Sequence, residues 1–428
     1  MKLTRLAVAI SLMAAAGMAH ATDGYFSDAY GMKAAGMGGA ATAMTDDAMG
    51  GANNPASMAF VGNRLDLGLT IFSPRRSASR SGLGGLDGSV DSNSNYFPVP
   101  ELGYNHMLQP NLALGVTVYG NGGMNTNYQQ DNFNCGGGAV NNMLCGNGKL
   151  GVNLMQLIVA PTLAFKLNAT NSIGIAPLLG YQRFEAYGLQ AFTGKNFLGQ
   201  NISQSPSNVT NNGWDDSTGI GVRIGYLGKL TPTFSIGVSY ATKMRMTKFN
   251  KYSGLFADGG LFDIPENYSV GVAWKATPDL ILAADYQRIN YAGVSSIGDP
   301  STNQAQLGAA GGPGFGWRDI NVWKLGGEYR YDKQWTFRAG YNHCDNPIQS
   351  RDVTFNILAP GVIEDHLTLG ATYHVSSGGE LTLAYMHAFQ NSVSGASIMP
   401  VFSGGSPSGT ETIKMYENSI GISYGWKM

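Results

Sequence analysis

The strongest regularity along this chain has a period of two. Near the end, Ile420, Ile422, Tyr424, Trp426 and Met428 alternate with Gly421, Ser423, Gly425 and Lys427. Leu367, Leu369, Ala371 and Tyr373 alternate in the same way with Thr368, Gly370 and Thr372. So do Tyr268, Val270, Val272 and Trp274 with Ser269, Gly271 and Ala273, and Phe234, Ile236, Val238 and Tyr240 with Ser235, Gly237 and Ser239. A two-residue period is that of an extended strand, whose side chains point to opposite faces in turn. One face here is bulky and apolar, the other small or polar, as in a strand with lipid outside and a polar interior. A soluble sandwich would turn its bulky face inward and carry more charge on the other.

Segments of this kind number fourteen, at about 63–73, 99–108, 111–121, 150–167, 172–188, 217–230, 233–246, 267–276, 279–291, 319–331, 334–343, 363–375, 380–390 and 414–428. Tight turns are predicted at Gln109-Pro110, Asn168–Asn171, Thr231-Pro232, Thr277-Pro278, Asp332-Lys333 and Ser376–Gly379. Long loops fall at about 74–98, 122–149, 189–216, 247–266, 292–318, 344–362 and 391–413. Short and long connections alternate without exception. This predicts an all-β, 14-stranded antiparallel transmembrane β-barrel with both termini on the periplasmic side. Closure is a physical requirement, because an open edge in lipid leaves backbone groups unpaired.

Composition and targeting agree with that picture. Residues 1–21 read as a signal peptide: Lys2 and Arg5, an apolar run from Leu6 to Met18, and the small residues of Ala19-His20-Ala21 before a cut at Thr22. No later stretch is long and apolar enough for a transmembrane helix. Gly is 60 of 428 residues, while charged residues are only 13% and net charge is -1, which gives no support for nucleic-acid binding. Cys135 and Cys145 lie in one Gly/Asn-rich segment, and in an oxidising compartment they form a candidate disulfide, with two free thiols as the alternative. Cys344 is left over, and no spacing suggests a metal site or cofactor. Gly421, Tyr424 and Trp426 resemble the C-terminal signal read by the outer-membrane insertion machinery, with Met428 in place of the usual last aromatic. The expected surroundings are the outer-membrane lipids and lipopolysaccharide.

Residues 22–62 do not alternate; they are dominated by Gly, Ala and Met. A small-residue run without strand character or charge is placed most economically inside the barrel as a plug, since fourteen strands enclose more space than wall side chains fill. The barrel itself then occupies 63–428. The GMKAAGMGGA segment, Asp46-Asp47-Ala48 and Asn54-Pro55-Ala56 in front of these strands resemble the FadL family of outer-membrane long-chain fatty acid transporters, which includes the toluene-type channels. The resemblance covers essentially the whole mature chain. It implies a 14-stranded barrel, a hatch at the periplasmic end, capture by outer loops, and exit through a gap beside an inward-kinked strand.

A path for hydrophobic solutes needs apolar surface outside, a mixed interior and a movable obstruction. Loop 189–216 offers Leu189, Phe192, Phe197 and Leu198, and loop 247–266 offers Leu255, Phe256, Leu261 and Phe262, together a candidate landing site. Alternation puts Arg223, Lys324, Arg330 and Arg338 on the lumen side as candidate partners of a ligand carboxylate, with Asp285, Glu328 and Glu417 as candidate counter-charges. For gating, Asp46, Asp47 and the stiff Asn54-Pro55-Ala56 element form the anchored part of the hatch, and the Gly-rich 31–39 segment its flexible part. Glycines 115, 120, 122 and 123 make the third strand the place for a bend. The expected ligand is a long-chain fatty acid, with aromatic hydrocarbons or alkanes as the alternative. A general porin would need no plug. An enzyme would need more than His343 with Asp345 or His366 with Asp365, and no nucleophile elbow or metalloprotease motif is present.

Overall fold

In the computed structural model, described for residues 23–129, 133–136, 141–376 and 378–428, the alternating segments form one closed antiparallel ladder. Its wall strands are β1 (Arg64–Ser81), β2 (Phe97–Gln109), β3 (Leu112–Asn125), β4 (Gly151–Lys166), β5 (Asn171–Tyr187), β6 (Asp215–Lys229) and β7 (Phe234–Ala241). The circuit continues through β8 (Asn267–Lys275), β9 (Leu280–Ile289), β10 (Ile320–Arg330), β11 (Trp335–Cys344), β12 (Asp365–His374), β13 (Gly379–Ser397) and β14 (Ser408–Lys427). Each strand pairs with its sequence neighbour, and β14 pairs back onto β1 from Arg64↔Lys427 to Ser81↔Thr410. The ring is therefore shut and presents no free edge at its ends. The signal-peptide segment 1–21 lies outside the described residues.

The outward face is apolar, as the alternation requires. Leu67, Leu69 and Ile71 on β1, Ile173 and Ile175 on β5, Leu367 and Leu369 on β12, and Ile420 and Ile422 on β14 are all exposed. Trp274, Tyr329, Trp335 and Trp426 stand exposed within a few residues of the short turns, where an aromatic belt meets the membrane interface.

Strand lengths depart from the pattern on one side. β1, β13 and β14 run for 18, 19 and 20 residues, whereas β7 has 8. Crossing a membrane takes about 9–11 tilted residues, so the tall strands project well past it. Much of the loops expected at 74–98 and 391–413 is strand. The extra residues turn Arg75, Ser77, Ser79 and Lys414 outward, where the surroundings are no longer lipid and apolar alternation ends. β7 instead stops at Ala241; the expected continuation to 246 leaves the wall, and Arg245–Met246 pairs back onto β6. Cys135 and Cys145 are joined in a disulfide, and Cys344 is buried and free of one.

Candidate functional site

The segment from Asp23 to Gly62 lies against the inward glycine faces of the wall. A Cβ at Gly103 on β2 would meet the backbone of Ala48, one at Gly326 on β10 the Met37 carbonyl, and one at Gly370 on β12 the Cα of Gly36. Wall carboxylates take the backbone N–H groups of the segment. Asp285 accepts from Ala41 and Thr42 at 2.9 and 2.8 Å, and Asp66 accepts from Ala48 at 2.9 Å. These contacts come from strands all round the ring, so the small residues serve close backbone approach.

Asn54 fixes one part of this segment. Its Oδ1 accepts from the Ala56 N–H at 3.1 Å, capping the short 3-10 turn that begins at Pro55. Its Nδ2 donates to the carbonyls of Thr42 and Tyr226 at 2.8 and 2.9 Å, tying the segment both to itself and to β6. Ser172 of β5 donates to the Ala56 carbonyl at 2.8 Å. Asp47 accepts from the Met49 N–H at 3.0 Å, and the Asp46 carbonyl accepts from Lys33 at 3.1 Å. Burial, with the Glu328 carboxylate near it, pushes the Asp46 carboxyl up to about 7. The 31–39 stretch, expected to be flexible, is a tightly packed helical turn over Met32–Ala35. Gly38 has φ of 65° and leaves no room for a Cβ against the Tyr341 backbone, so its glycines answer a space constraint rather than a need for looseness.

The wall is interrupted between β2 and β3. β2 is paired with β1 along Phe97–Asn105, but with β3 only from Leu102↔Val118 down to Gln109↔Leu112. Above that point, residues 97–101 and 119–125 face each other without a ladder. β3 turns inward there: from Thr117 to Asn125 every residue is buried, so lipid-facing alternation is lost. A bulge at Asn121, between Gly120 and Gly122, marks the bend on the β4 side. The freed edge of β3 is taken up by the N-terminal segment. Ser27 donates to the Asn121 carbonyl at 3.0 Å, and Gly123 donates to the Tyr25 carbonyl at 3.1 Å. The opposite lip carries Pro98 and Pro100, which have no N–H to leave orphaned. Behind the opening is a cavity of about 520 Å³, bounded by Asp28, Tyr30 and Met32, by Pro100 and Glu101, and by Ser419.

Two cavities lie toward the long loops, the inner one almost wholly apolar and the outer one lined by both apolar and polar side chains. The outer cleft, about 1780 Å³, is lined by Phe192, Phe197, Leu198, Val401 and Phe402, with Leu307 and Phe355 at its floor. Phe197 and Leu198 are 59% and 64% exposed there. The inner cavity, about 500 Å³, is lined by Phe184, Leu255, Phe256 and Phe315, and shares Phe192, Leu307, Pro313 and Phe355 with the cleft. The two loops expected to meet at one landing site do so at the inner cavity, which Leu189 and Phe192 line together with Leu255 and Phe256, while Phe197 and Leu198 line the outer cleft with loops 292–318 and 391–413. Phe262 is fully buried beneath Phe256, with ring centroids 4.9 Å apart, and Leu261 lines neither cavity. The contributions of Phe315, Phe355 and Phe402 were not foreseen, because lone aromatics in loops carry no periodic signal.

The lumen cations expected to be available are mostly engaged. Arg338 pairs with Glu328 at 2.6 Å, and Lys324 pairs with Asp23 at 3.4 Å and donates to the Asp28 carbonyl. Arg223 has no acid partner but donates to the Ala52 carbonyl and the Tyr119 hydroxyl. Arg330 is exposed at the end of β10. His343 pairs with Asp365 at 2.8 Å on the exposed surface rather than with Asp345, and His366 faces inward, so neither expected His–acid combination exists.

A closed barrel with lipid-facing strands, an inserted N-terminal segment and a breached wall defines an outer-membrane channel for hydrophobic compounds. The chain belongs to the family described as outer membrane protein transport protein (OMPP1/FadL/TodX), whose model matches residues 7–399. This family is made up of transport channels, not enzymes. The long-chain fatty acid transport protein of Escherichia coli (strain K12) is 24% identical over 384 residues, covering 81% of this chain and 83% of that protein. Among solved structures, the Pseudomonas putida toluene transporter TodX superposes with a TM-score of 0.66 at 18% identity, over 94% of this chain and 99% of that one. A Pseudomonas aeruginosa FadL homologue gives a TM-score of 0.66 at 16% identity, over 94% and 99%. At these identities the structural likeness speaks to the fold.

Proposed function

We propose that the protein takes up long-chain fatty acids. Solute would enter at the outer cleft, pass the inner cavity, and leave sideways through the opening between β2 and β3. The observation that carries this reading is the shape of the apolar path: two cavities in series, sharing Phe192 and Phe355 as a common wall. A rod-like alkyl chain can lie along both, whereas a single aromatic ring would occupy a small part of either. The Escherichia coli relative is named for long-chain fatty acids, and the solved neighbours include proteins named as toluene transporters. The substrate therefore has to be decided on this chain. The Asp23–Gly62 segment acts in this reading as the hatch, anchored by Asn54-Pro55-Ala56 and by the Asp46-Asp47 turn.

The deciding experiment is uptake by cells lacking their own transporter and expressing this chain, offered hexadecanoate, hexadecane and toluene separately. Hexadecanoate uptake is expected to exceed that of toluene by at least tenfold. Replacing Phe197 and Leu198 by Ser is expected to lower uptake at low substrate concentration with unchanged barrel yield. Preferential toluene uptake would overturn the substrate assignment.

A further inference from the structure

Buried charges in this lumen are matched almost everywhere. Arg64 pairs with Asp66 and Glu380, Arg80 with Glu411, Lys33 with Glu380, and Arg338 and Lys324 as described above. Arg223 and Arg76 have no acid at ion-pair distance, and Arg223 is held by the Ala52 carbonyl and the Tyr119 hydroxyl, whereas Arg76 on β1 is left with free N–H groups. It is 5% exposed and has no ion pair. Its Nη1 donates to the Asn125 carbonyl, while Nε and Nη2 have no partner at all. Among the described buried cations, it alone combines unpartnered N–H groups with the lack of an acid at ion-pair distance.

Its surroundings are a built site. The guanidinium stands over the Phe97 ring, 5.7 Å from the centroid, and lines a cavity of about 340 Å³ with Phe72, Met124, Trp317, Pro360 and Met415. An uncompensated guanidinium in such a place is costly, and the charge-assisted bonds it can offer are correspondingly strong. One acid is close without pairing. Glu417 on β14 is fully buried, and neither carboxylate oxygen has a partner. It stands opposite Pro74, one inward position along from the Arg76↔Met415 pair. It also lies between Met415, which bounds this cavity, and Ser419, which bounds the chamber behind the opening. The chain thus holds a cation and an acid side by side, unjoined, at neighbouring inward positions of β1 and β14.

We propose that Arg76 reads the carboxyl headgroup of the solute. The ligand's carboxyl oxygens accept from the free Nη2 and Nε groups. Covalent bonds are neither made nor broken. This assignment rests on the fatty-acid reading above, and it adds the residue that would tell an acid from a hydrocarbon of equal length.

The test is binding of hexadecanoate and of hexadecan-1-ol to the purified full barrel, for wild type, Arg76→Met and Arg76→Lys. Two or three charge-assisted hydrogen bonds lost should weaken hexadecanoate by roughly ten- to hundredfold in Arg76→Met. The alcohol should change by less than about twofold, and Arg76→Lys should fall between. The ratio of the two affinities is read on folded protein alone, so a reduced yield of Arg76→Met does not blur it, and Arg76→Lys supplies the same ratio from a milder change. Equal weakening of both ligands, or an unchanged ratio in both variants, would overturn the role of Arg76 while leaving fatty-acid uptake intact. Wild type that fails to bind hexadecanoate would overturn both.

Discussion

Two seams flank β1 and β2, and they are built in opposite ways. The seam between β14 and β1 is zipped along the whole of β1, and its lower end is clamped by charges: Glu380 meets Arg64 and Lys33 at 2.7 Å and Lys427 at 2.8 Å. The seam between β2 and β3 is zipped only at its lower part, and above Leu102 the strands part. Both seams consist of alternating strands in the same membrane. What separates them is local: prolines on one lip, a glycine-flanked bulge on the other, and an N-terminal segment that supplies the backbone partners β3 has given up. An opening in a lipid-facing wall is tolerated when its donors are either removed or satisfied from inside.

The comparison is broken most directly by deleting Asn121. Removing the extra residue restores a regular ladder between β3 and β4 and takes away the cause of the bend. Hexadecanoate uptake is expected to fall by more than tenfold while the barrel still assembles; undiminished uptake would mean that solute does not leave between β2 and β3. The closed seam is tested by Glu380→Ala, which leaves the buried Lys33 without an ion pair and Arg64 with Asp66 alone. Losing one partner of a buried charge cluster costs about 3–5 kcal/mol, so the variant barrel is expected to unfold at markedly lower temperature in a heat-modifiability assay. An unshifted transition would show that the ladder alone holds this seam.

The smallest effect concerns Asp46, beside the Lys33 link to that clamp. Its carboxyl is raised to about 7 in the fold, above its ordinary value of 3.8. The folded state therefore keeps the proton across the interval between these values, and docking of the segment weakens as pH rises toward 7. Protease access to residues 23–62 is expected to increase between pH 5 and pH 8 in wild type and to increase less in Asp46→Asn, where Glu101, which accepts from the Gly31 N–H, still responds. A variant with the full wild-type pH response would remove Asp46 from this account.

The fourteen strands were legible because lipid on one face and a lumen on the other impose alternation that few other settings reproduce. Legibility ended where the lipid ended. The first strand is expected to stop at about 73, yet the ladder to β14 continues to Ser81, with Arg75, Ser77 and Ser79 on the face that is apolar lower down. That early stop hid Arg76, which sat in an expected loop and so was never assigned a side. Of the four cations assigned to the lumen, Arg338 and Lys324 are occupied by Glu328 and Asp23, partners that only the three-dimensional register brings close. Asn54-Pro55-Ala56 stood out because a proline after an Asn-type cap constrains the chain locally. The glycines at 31–39 were ambiguous in the sequence, since looseness and tight packing call for the same residue.

For sideways release as proposed, the prolines at 98 and 100 carry a kinetic consequence. A doorway whose jamb cannot donate hydrogen bonds has no latch at that side, so it needs no rupture of backbone pairing each time a molecule goes through. The slow event in departure would then be the solute's own transfer into the bilayer, and turnover across a series of acids should follow oil–water partitioning rather than a common conformational rate.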